Sequence, residues 1–202
     1  MVTADLDPGV SRPSTRFGER RRKRLAALGV VVAVAFISVV IVEALSRSST
    51  VDPANLVGPA GRPAPTFALQ GLRHPADVVS LASFRGQPLV INFWSSWCIP
   101  CRTEMPVLEG AFQTEGGKVA FLGIDSNDTS KGAMAFLAQV HVTYPVASDP
   151  HGDLAASYGL VGLPITVFVS PSGKVLGRHI GQLSAGALQA DLTAAFGARP
   201  SG

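Results

Sequence analysis

The sequence predicts an α/β domain built on a mixed central β-sheet with helices on both faces, and three observations carry that prediction. Two continuous apolar runs, PLVINFW at residues 88–94 and KVAFLGID at 118–125, have the length and composition of strands buried on both faces. Helical spacing follows each run, so strands and helices alternate. Near the C-terminus, strands predicted at 165–170 and 174–180 flank Pro171-Ser172-Gly173, and so short a turn joins only antiparallel neighbours.

The remaining elements follow in order. Residues 66–69 and 78–81 read as the two short strands of an N-terminal β-hairpin. A helix is expected at 99–113, and another at 130–140, with helical spacing at Met134, Leu137 and Ala138. Residues 144–147 are short and extended, and 153–158 form a small helix. A last helix over 184–196 has Ser184 as its N-cap and Gly197 as its stop. No internal repeat is present.

The chain has 202 residues, enough for one ordinary domain with additional segments. Charged residues make up 15%, well below the about 25% usual for a soluble domain, which places part of the chain in lipid. Seven of the 17 Lys and Arg residues lie in the first 24 positions, and from Arg47 onward ten basic residues balance ten acidic ones. The net charge of +3 therefore belongs to the N-terminal tail, and no basic face for nucleic acid is implied.

Residues 25–42, LAALGVVVAVAFISVVIV, carry no charge. As a helix this run spans about 27 Å, close to the hydrocarbon thickness of a bilayer. Ala44 and Leu45 extend it past Glu43. The basic cluster Arg20-Arg21-Arg22-Lys23-Arg24 stands directly before it, which keeps the N-terminus cytoplasmic and the rest of the chain outside. The run exceeds the 7–15 residues of a signal-peptide core, so a retained anchor is favoured over a cleaved signal. The expected organisation is a disordered basic tail at 1–24, a transmembrane signal-anchor helix at 25–45, a linker at 46–62, the folded domain at 63–197 and a short tail at 198–202.

The chemistry is expected in Asn92-Phe93-Trp94-Ser95-Ser96-Trp97-Cys98-Ile99-Pro100-Cys101, where a buried strand runs into a helix that starts at the first cysteine. Unpaired N–H groups at a helix N-terminus favour a thiolate, so Cys98 is the expected nucleophile and Cys101, one turn further in, the resolving thiol. The alternatives are weaker. A structural disulfide over so short a loop contributes only about 2 kcal/mol. Zinc needs two more ligands, and His74, His141, His151 and His179 show no paired spacing. Haem attachment needs a histidine where Arg102 stands. No metal and no cofactor beyond the cysteine pair is expected. Asp125 and Asp128 read as loop carboxylates at a strand end rather than as metal ligands.

The W-C-x-P-C pattern after an apolar strand resembles the thioredoxin superfamily. The longer stretch VINFWSSWCIPCRTEMP resembles its membrane-anchored branch, that of TlpA, ResA and CcmG. Leu81-Ala82-Ser83-Phe84-Arg85-Gly86 and Tyr158-Gly159-Leu160-Val161-Gly162-Leu163-Pro164 support the resemblance, which covers about residues 63–197. It implies a thioredoxin fold and a cis-proline at Pro164 that faces the cysteine pair and docks an extended substrate. From the residues alone an ordinary trans proline at a strand start is the commoner case. It also implies that Glu104 tunes the cysteines and relays protons; the plain alternative is a solvated carboxylate in the first turns of a helix. Pro106 matches a proline that bends this helix. Asn92 stands where thioredoxins proper carry a buried aspartate that acts as a base.

The resemblance implies a dithiol reductant that keeps the haem-site cysteines of apocytochrome c reduced in an oxidising compartment, drawing electrons from a membrane thiol donor. A disulfide oxidase acting on exported proteins uses the same cysteines. A peroxidase would need proline at Ile91 in the pattern P-x-x-x-T/S-x-x-C, for which only Ser95 is available. A tethered interaction domain on the same scaffold would have no use for the paired cysteines.

Overall fold

The computed structural model describes residues 36–38, 56–58, 60–115 and 117–197. The chain divides into two compact units, residues 1–50 and 51–202. In the first, residues 36–38 are helical. The rest of the expected anchor at 25–45, the basic tail, most of the linker and the tail at 198–202 lie outside the described residues. Among the described residues no helix is long and apolar enough to cross a membrane.

The second unit is organised by a five-stranded sheet. Its middle strand is β3 (Leu89–Trp94), parallel to β4 (Ala120–Ser126) and antiparallel to β6 (Ile165–Val169). With β5 (Val146–Asp149) and β7 (Val175–Ile180) the order is β5-β4-β3-β6-β7. A separate hairpin pairs β1 (Ala68–Gln70) with β2 (Val78–Ser80), after which Leu81–Phe84 forms a 3-10 turn where the sequence suggested one more strand residue. Four helices follow: α1 (Ile99–Glu115), α2 (Ser130–Val140), α3 (Asp153–Ser157) and α4 (Ala185–Phe196). The mixed sheet with helices on both faces is the architecture expected from the sequence.

All six residues of β3 are buried, which is why its sequence reads as an apolar run rather than an alternation. Val90 and Trp94 point into a core shared with Met105 and Leu108 of α1, Phe136 and Leu137 of α2 and Leu188 and Leu192 of α4. Leu89, Ile91 and Phe93 point into the opposite core with Leu154 and Ala155 of α3 and with Phe67 and Leu69 near the hairpin. Each fully buried side chain of this size contributes about 1.5–3 kcal/mol.

Two elements depart from the expected pattern. The strand anticipated at 144–147 forms at Val146–Asp149. Pro145 has no N–H for the ladder, and its carbonyl instead accepts the Gly123 N–H at 2.9 Å. The buried face of α2 is Ala133, Phe136, Leu137 and Val140, while Met134 and Ala138 turn outward. Spacing at i, i+3, i+4 and i+7 sets this face. The expected cap at Ser184 is present: its side chain accepts the Ala187 N–H at 3.1 Å, and Gly197 ends the helix at φ 87°.

Part of the expected linker belongs to the domain. Val57 and Arg178 exchange backbone hydrogen bonds at 2.9 and 3.0 Å, and the Val175 N–H donates to the Arg62 carbonyl at 2.8 Å. These contacts cover the outer edge of β7, which would otherwise be open to pairing.

Gly123, the register partner of Asn92 in the middle of β4, is packed without room for a side chain. A Cβ there would lie 2.9 Å from Trp94 Nε1, 3.0 Å from Val146 Cγ1 and 3.3 Å from Tyr144 Cε2. All three neighbours belong to fully packed buried residues, so Gly123→Ala is expected to cost about 1–3 kcal/mol. Urea unfolding of the full-length protein should show a lower midpoint at unchanged slope; a midpoint within error of wild type would show that the core yields.

Candidate active site

Cys98 is the residue immediately before α1 and Cys101 lies in its first turn. The two form a disulfide with their Cα atoms 5.3 Å apart. The Cys98 N–H donates to the Ser95 carbonyl at 3.2 Å, which closes the turn that feeds the helix. The Cys101 N–H donates to Cys98 Sγ at 3.3 Å. Cys98 thus occupies the position of a helix N-cap, with its sulfur where a serine oxygen would accept. In the dithiol form the same N–H and the helix dipole favour sulfur as thiolate. Cys98 is 4% exposed and Cys101 0%, so only Cys98 is open to an incoming sulfur. Pro100 sits in the first turn, where a missing N–H costs least.

Glu104 lies three residues beyond Cys101, on the same face of α1. It is fully buried, not a solvated carboxylate. Asn92 Nδ2 donates to Glu104 Oε1 at 2.7 Å, and the Leu183 N–H donates to Glu104 Oε2 at 3.0 Å. Asn92 Nδ2 also reaches Thr166 Oγ1 on β6 at 3.1 Å. Burial pushes the carboxyl up from 4.5 to about 7, against the opposing pull of the Leu183 and Asn92 donors. A buried acid with a raised proton affinity thus lies about one helical turn beyond the inner cysteine.

The Leu163–Pro164 peptide is cis, and Pro164 is buried at the start of β6, where its carbonyl accepts the Gly181 N–H at 3.0 Å. A groove of about 270 Å³ is lined by Trp97, Ser126, Asn127, Val161 and Leu163, among others. It joins the active-site loop to the segment that precedes Pro164. Around the otherwise buried sulfur pair, Trp97, Ile99 and Val161 are 62%, 80% and 95% exposed. Such an apolar rim beside an accessible sulfur suits an extended polypeptide.

Besides the residues named from the sequence, Cys98, Cys101, Glu104 and Pro164, the structure brings a second segment to the active-site loop, one in which Asp125 and Asp128 read from the sequence only as loop carboxylates. Ser95 Oγ donates to the Ser126 carbonyl, the Ser96 N–H to Asp128 Oδ2 at 2.6 Å, and Trp97 Nε1 to the Asn127 carbonyl at 3.2 Å. The signal for it was present: Asp125-Ser126-Asn127-Asp128-Thr129 is a run of small polar side chains directly after a buried strand, a composition that hydrogen-bonds neighbouring backbone. Among the described residues no group of three or more His, Cys, Asp or Glu is arranged to hold a metal ion.

Comparison with known proteins accords with this geometry. Residues 60–178 match the model of the AhpC/TSA family. The chain is 34% identical over 139 residues to the thiol:disulfide interchange protein DsbE of Pseudomonas fluorescens biotype C, covering 68% of this chain and 76% of that protein. It is 31% identical over 117 residues to the thiol-disulfide oxidoreductase ResA of Bacillus thuringiensis subsp. konkukian (strain 97-27), covering 57% and 66%. Among solved structures, a Chlorobium tepidum chain described as a thiol:disulfide interchange protein DsbE superimposes with a TM-score of 0.63 at 33% identity, over 69% of this chain and 99% of that one.

The buried carboxyl has a thermodynamic signature. Folded, Glu104 holds its proton to about pH 7, whereas unfolded it releases it near 4.5. Between those values the native state binds the extra proton, so this group lowers stability as pH rises from about 4.5 to 7 and adds no further change above that. The linkage amounts to about 3 kcal/mol at most. Glu104→Gln carries no titrating group and lacks this decline. Urea unfolding from pH 4 to 8 should show the wild type losing stability relative to the variant across this window; a pH-independent difference would contradict the assignment.

Proposed function

The chain belongs to the AhpC/TSA family and is a thiol-disulfide oxidoreductase of the thioredoxin fold, and from that premise we propose that it is an extracytoplasmic reductant of disulfides in polypeptides, acting on the haem-site cysteines of apocytochrome c during cytochrome c maturation. The observation that carries this reading is the combination of Cys98 at the N-terminus of α1 with a buried Glu104 one turn beyond Cys101. That combination is the one the ResA-like resemblance implies for haem-site reduction.

The reaction proceeds in two exchanges. The Cys98 thiolate attacks one sulfur of the substrate disulfide, forming a mixed disulfide and expelling the other substrate sulfur as a thiolate. Cys101 then attacks Cys98 Sγ, closing the Cys98–Cys101 disulfide and releasing the second substrate thiol. The substrate gains two electrons and the cysteine pair loses two. Cys101 must lose a proton before it attacks, and Glu104, titrating near neutrality, takes it and returns it to a departing thiolate. The groove between Trp97 and Val161, which reaches Leu163 directly before Pro164, holds the substrate backbone extended. A membrane thiol donor returns the pair to the dithiol state.

Residues 25–45 hold the protein in the membrane, with the basic residues at 1–24 on the cytoplasmic side and the domain outside. The apolar run and the charge asymmetry of the sequence support that placement. The peroxidase alternative gains nothing from the site. Ile91, at the position where that chemistry requires proline, is buried in mid-strand, and Ser95 Oγ is committed to the Ser126 carbonyl.

Two measurements test the proposal together. With Cys101→Ser, an apocytochrome c peptide whose haem-site cysteines are paired should accumulate as a mixed disulfide on Cys98; with Cys98→Ser none should form. The reduction potential of the pair should lie near that of thioredoxin, about −270 mV. A value near that of DsbA, about −120 mV, would make the protein a disulfide oxidase for exported proteins instead.

A further inference from the structure

The loop that carries the nucleophile is fastened by a segment that takes no part in the proposed exchange of sulfur bonds. Three consecutive residues, Ser95, Ser96 and Trp97, donate hydrogen bonds to Ser126, Asp128 and Asn127. Asp128 is the charged member of this clasp. Its Oδ2 accepts the Ser96 N–H at 2.6 Å and its Oδ1 the Thr129 N–H at 2.6 Å. The fit is close: a Cβ on Gly132, in the first turn of α2, would lie 2.9 Å from Ser96 Oγ and 3.0 Å from Asp128 Oδ1.

Asp125 is the fixed point beneath the clasp. It lies in β4 as the register partner of Trp94, the last residue of the active strand, and of Ser148 on β5. It is fully buried, no donor from the surrounding protein reaches either of its carboxyl oxygens, and its one hydrogen-bonding neighbour is another carboxyl, Asp128, with which it can bond only when one of the two holds a proton. The charged groups that act on it are Asp128 from its own loop and Asp149 from β5, both acidic. Trp94 and Ser148, its partners on the flanking strands, bring no charge. A carboxylate in that position is desolvated, lacks donors and faces two like charges, so the acid form is the stable one. Burial first, then Asp128 through its charge and through a hydrogen bond that the protonated form makes with it, then the charge of Asp149, push it from 3.8 up to about 8.

We propose that Asp125 is a positioning residue for Cys98 that works by holding a proton. Neutral, it leaves Asp128 as the single negative charge gripping the Ser96 N–H; ionised, it sets a second negative charge against Asp128 and loosens the loop that presents the nucleophile. The inference rests on Cys98 as the attacking thiol. It adds to that reading a second titrating carboxyl, on β4 and distinct from Glu104 on α1, that slows attack on the alkaline side.

The experiment uses the full-length reduced protein and three readouts over pH 5 to 10: the carboxyl carbon resonance of Asp125, the amide resonance of Ser96, and the rate of Cys98 alkylation by iodoacetamide. In wild type the Asp125 carboxyl and the Ser96 amide should titrate together near pH 8. The alkylation rate should fall there by roughly threefold below the value set by the thiolate fraction, as expected for an added like charge near the site. In Asp125→Asn the Ser96 step and the alkaline fall should both disappear. In Asp128→Asn, where one repelling charge is gone, the Asp125 step should move to lower pH. An Asp125 carboxyl that titrates near the ordinary aspartate value, or Ser96 and alkylation profiles that coincide in wild type and Asp125→Asn, overturns the proposal. The wild-type resonances decide the matter even if a variant does not fold. If peptide trapping shows that Cys98 is not the nucleophile, the functional reading fails while the two resonances still report on the clasp.

Discussion

The hydrogen bond between Asn92 and Glu104 is the joint on which the arrangement of the site depends. It ties the middle of β3 to the first turns of α1, the two elements that flank the cysteines. The second oxygen of the same carboxyl accepts the Leu183 N–H, which fixes the chain just before α4. Asn92 also reaches Thr166 on β6, two residues after Pro164. One buried carboxyl therefore holds the strand that leads into the active loop, the helix that presents the cysteines, and the strand that begins at the cis-proline. Hydrogen bonds to a charged group contribute about 1.5–3 kcal/mol, and leaving such a group buried without them costs at least as much, so the elements cannot separate cheaply.

Asn92 explains how a single buried acid is sustained there. An aspartate at that position would face Glu104 at hydrogen-bonding distance, and two carboxylates that close cannot both ionise. The amide converts repulsion into donation: its nitrogen bonds both Glu104 and Thr166. At this joint the buried acid is thus supplied by α1 rather than by β3. Its two donors do not cancel the desolvation that raises it. That balance leaves the carboxyl raised to about 7, where a solvated glutamate would be ionised throughout.

Much of this was legible in the sequence because it is written in local patterns. Continuous apolar runs marked β3 and β4, and the short turn Pro171-Ser172-Gly173 marked the antiparallel β6–β7 pair. The cysteine spacing placed Cys98 at a helix N-terminus, which is a local feature. What was not legible depends on tertiary contact. Nothing local distinguishes a solvated Glu104 from a buried one, since the helix position suits both; its burial is decided by Asn92 and Leu183, 12 and 79 residues away. The face of α2 was read one residue out because Met134 and Ala133 are both apolar, and only the packing of Phe136 on Trp94, stacked at 5.1 Å, settles which one turns inward. The clasp on residues 95–97 spans about thirty residues; the small polar run at 125–129 marks a loop that bonds backbone, but two of the three bonds end on backbone carbonyls, so which residues it meets is settled only by the fold.

The site divides its work between two sides of one strand end. On the α1 side lie the helix N-terminus, which favours sulfur as an anion, and the buried carboxyl of Glu104. On the β4 side the segment 126–128 holds the loop in place. The division follows from the exposure of the two cysteines. A nucleophile must be reachable, and a reachable loop between a strand and a helix is free to move unless its backbone is bonded elsewhere. Bonding it to α1 would crowd the face on which substrate sulfur must approach. Bonding it to the loop after the parallel neighbour strand leaves that face open, with Trp97 and Ile99 projecting beside it. The parallel pairing of β3 with β4, in register to Trp94 and Asp125, brings the ends of both strands to the same edge of the sheet and makes that attachment geometrically available.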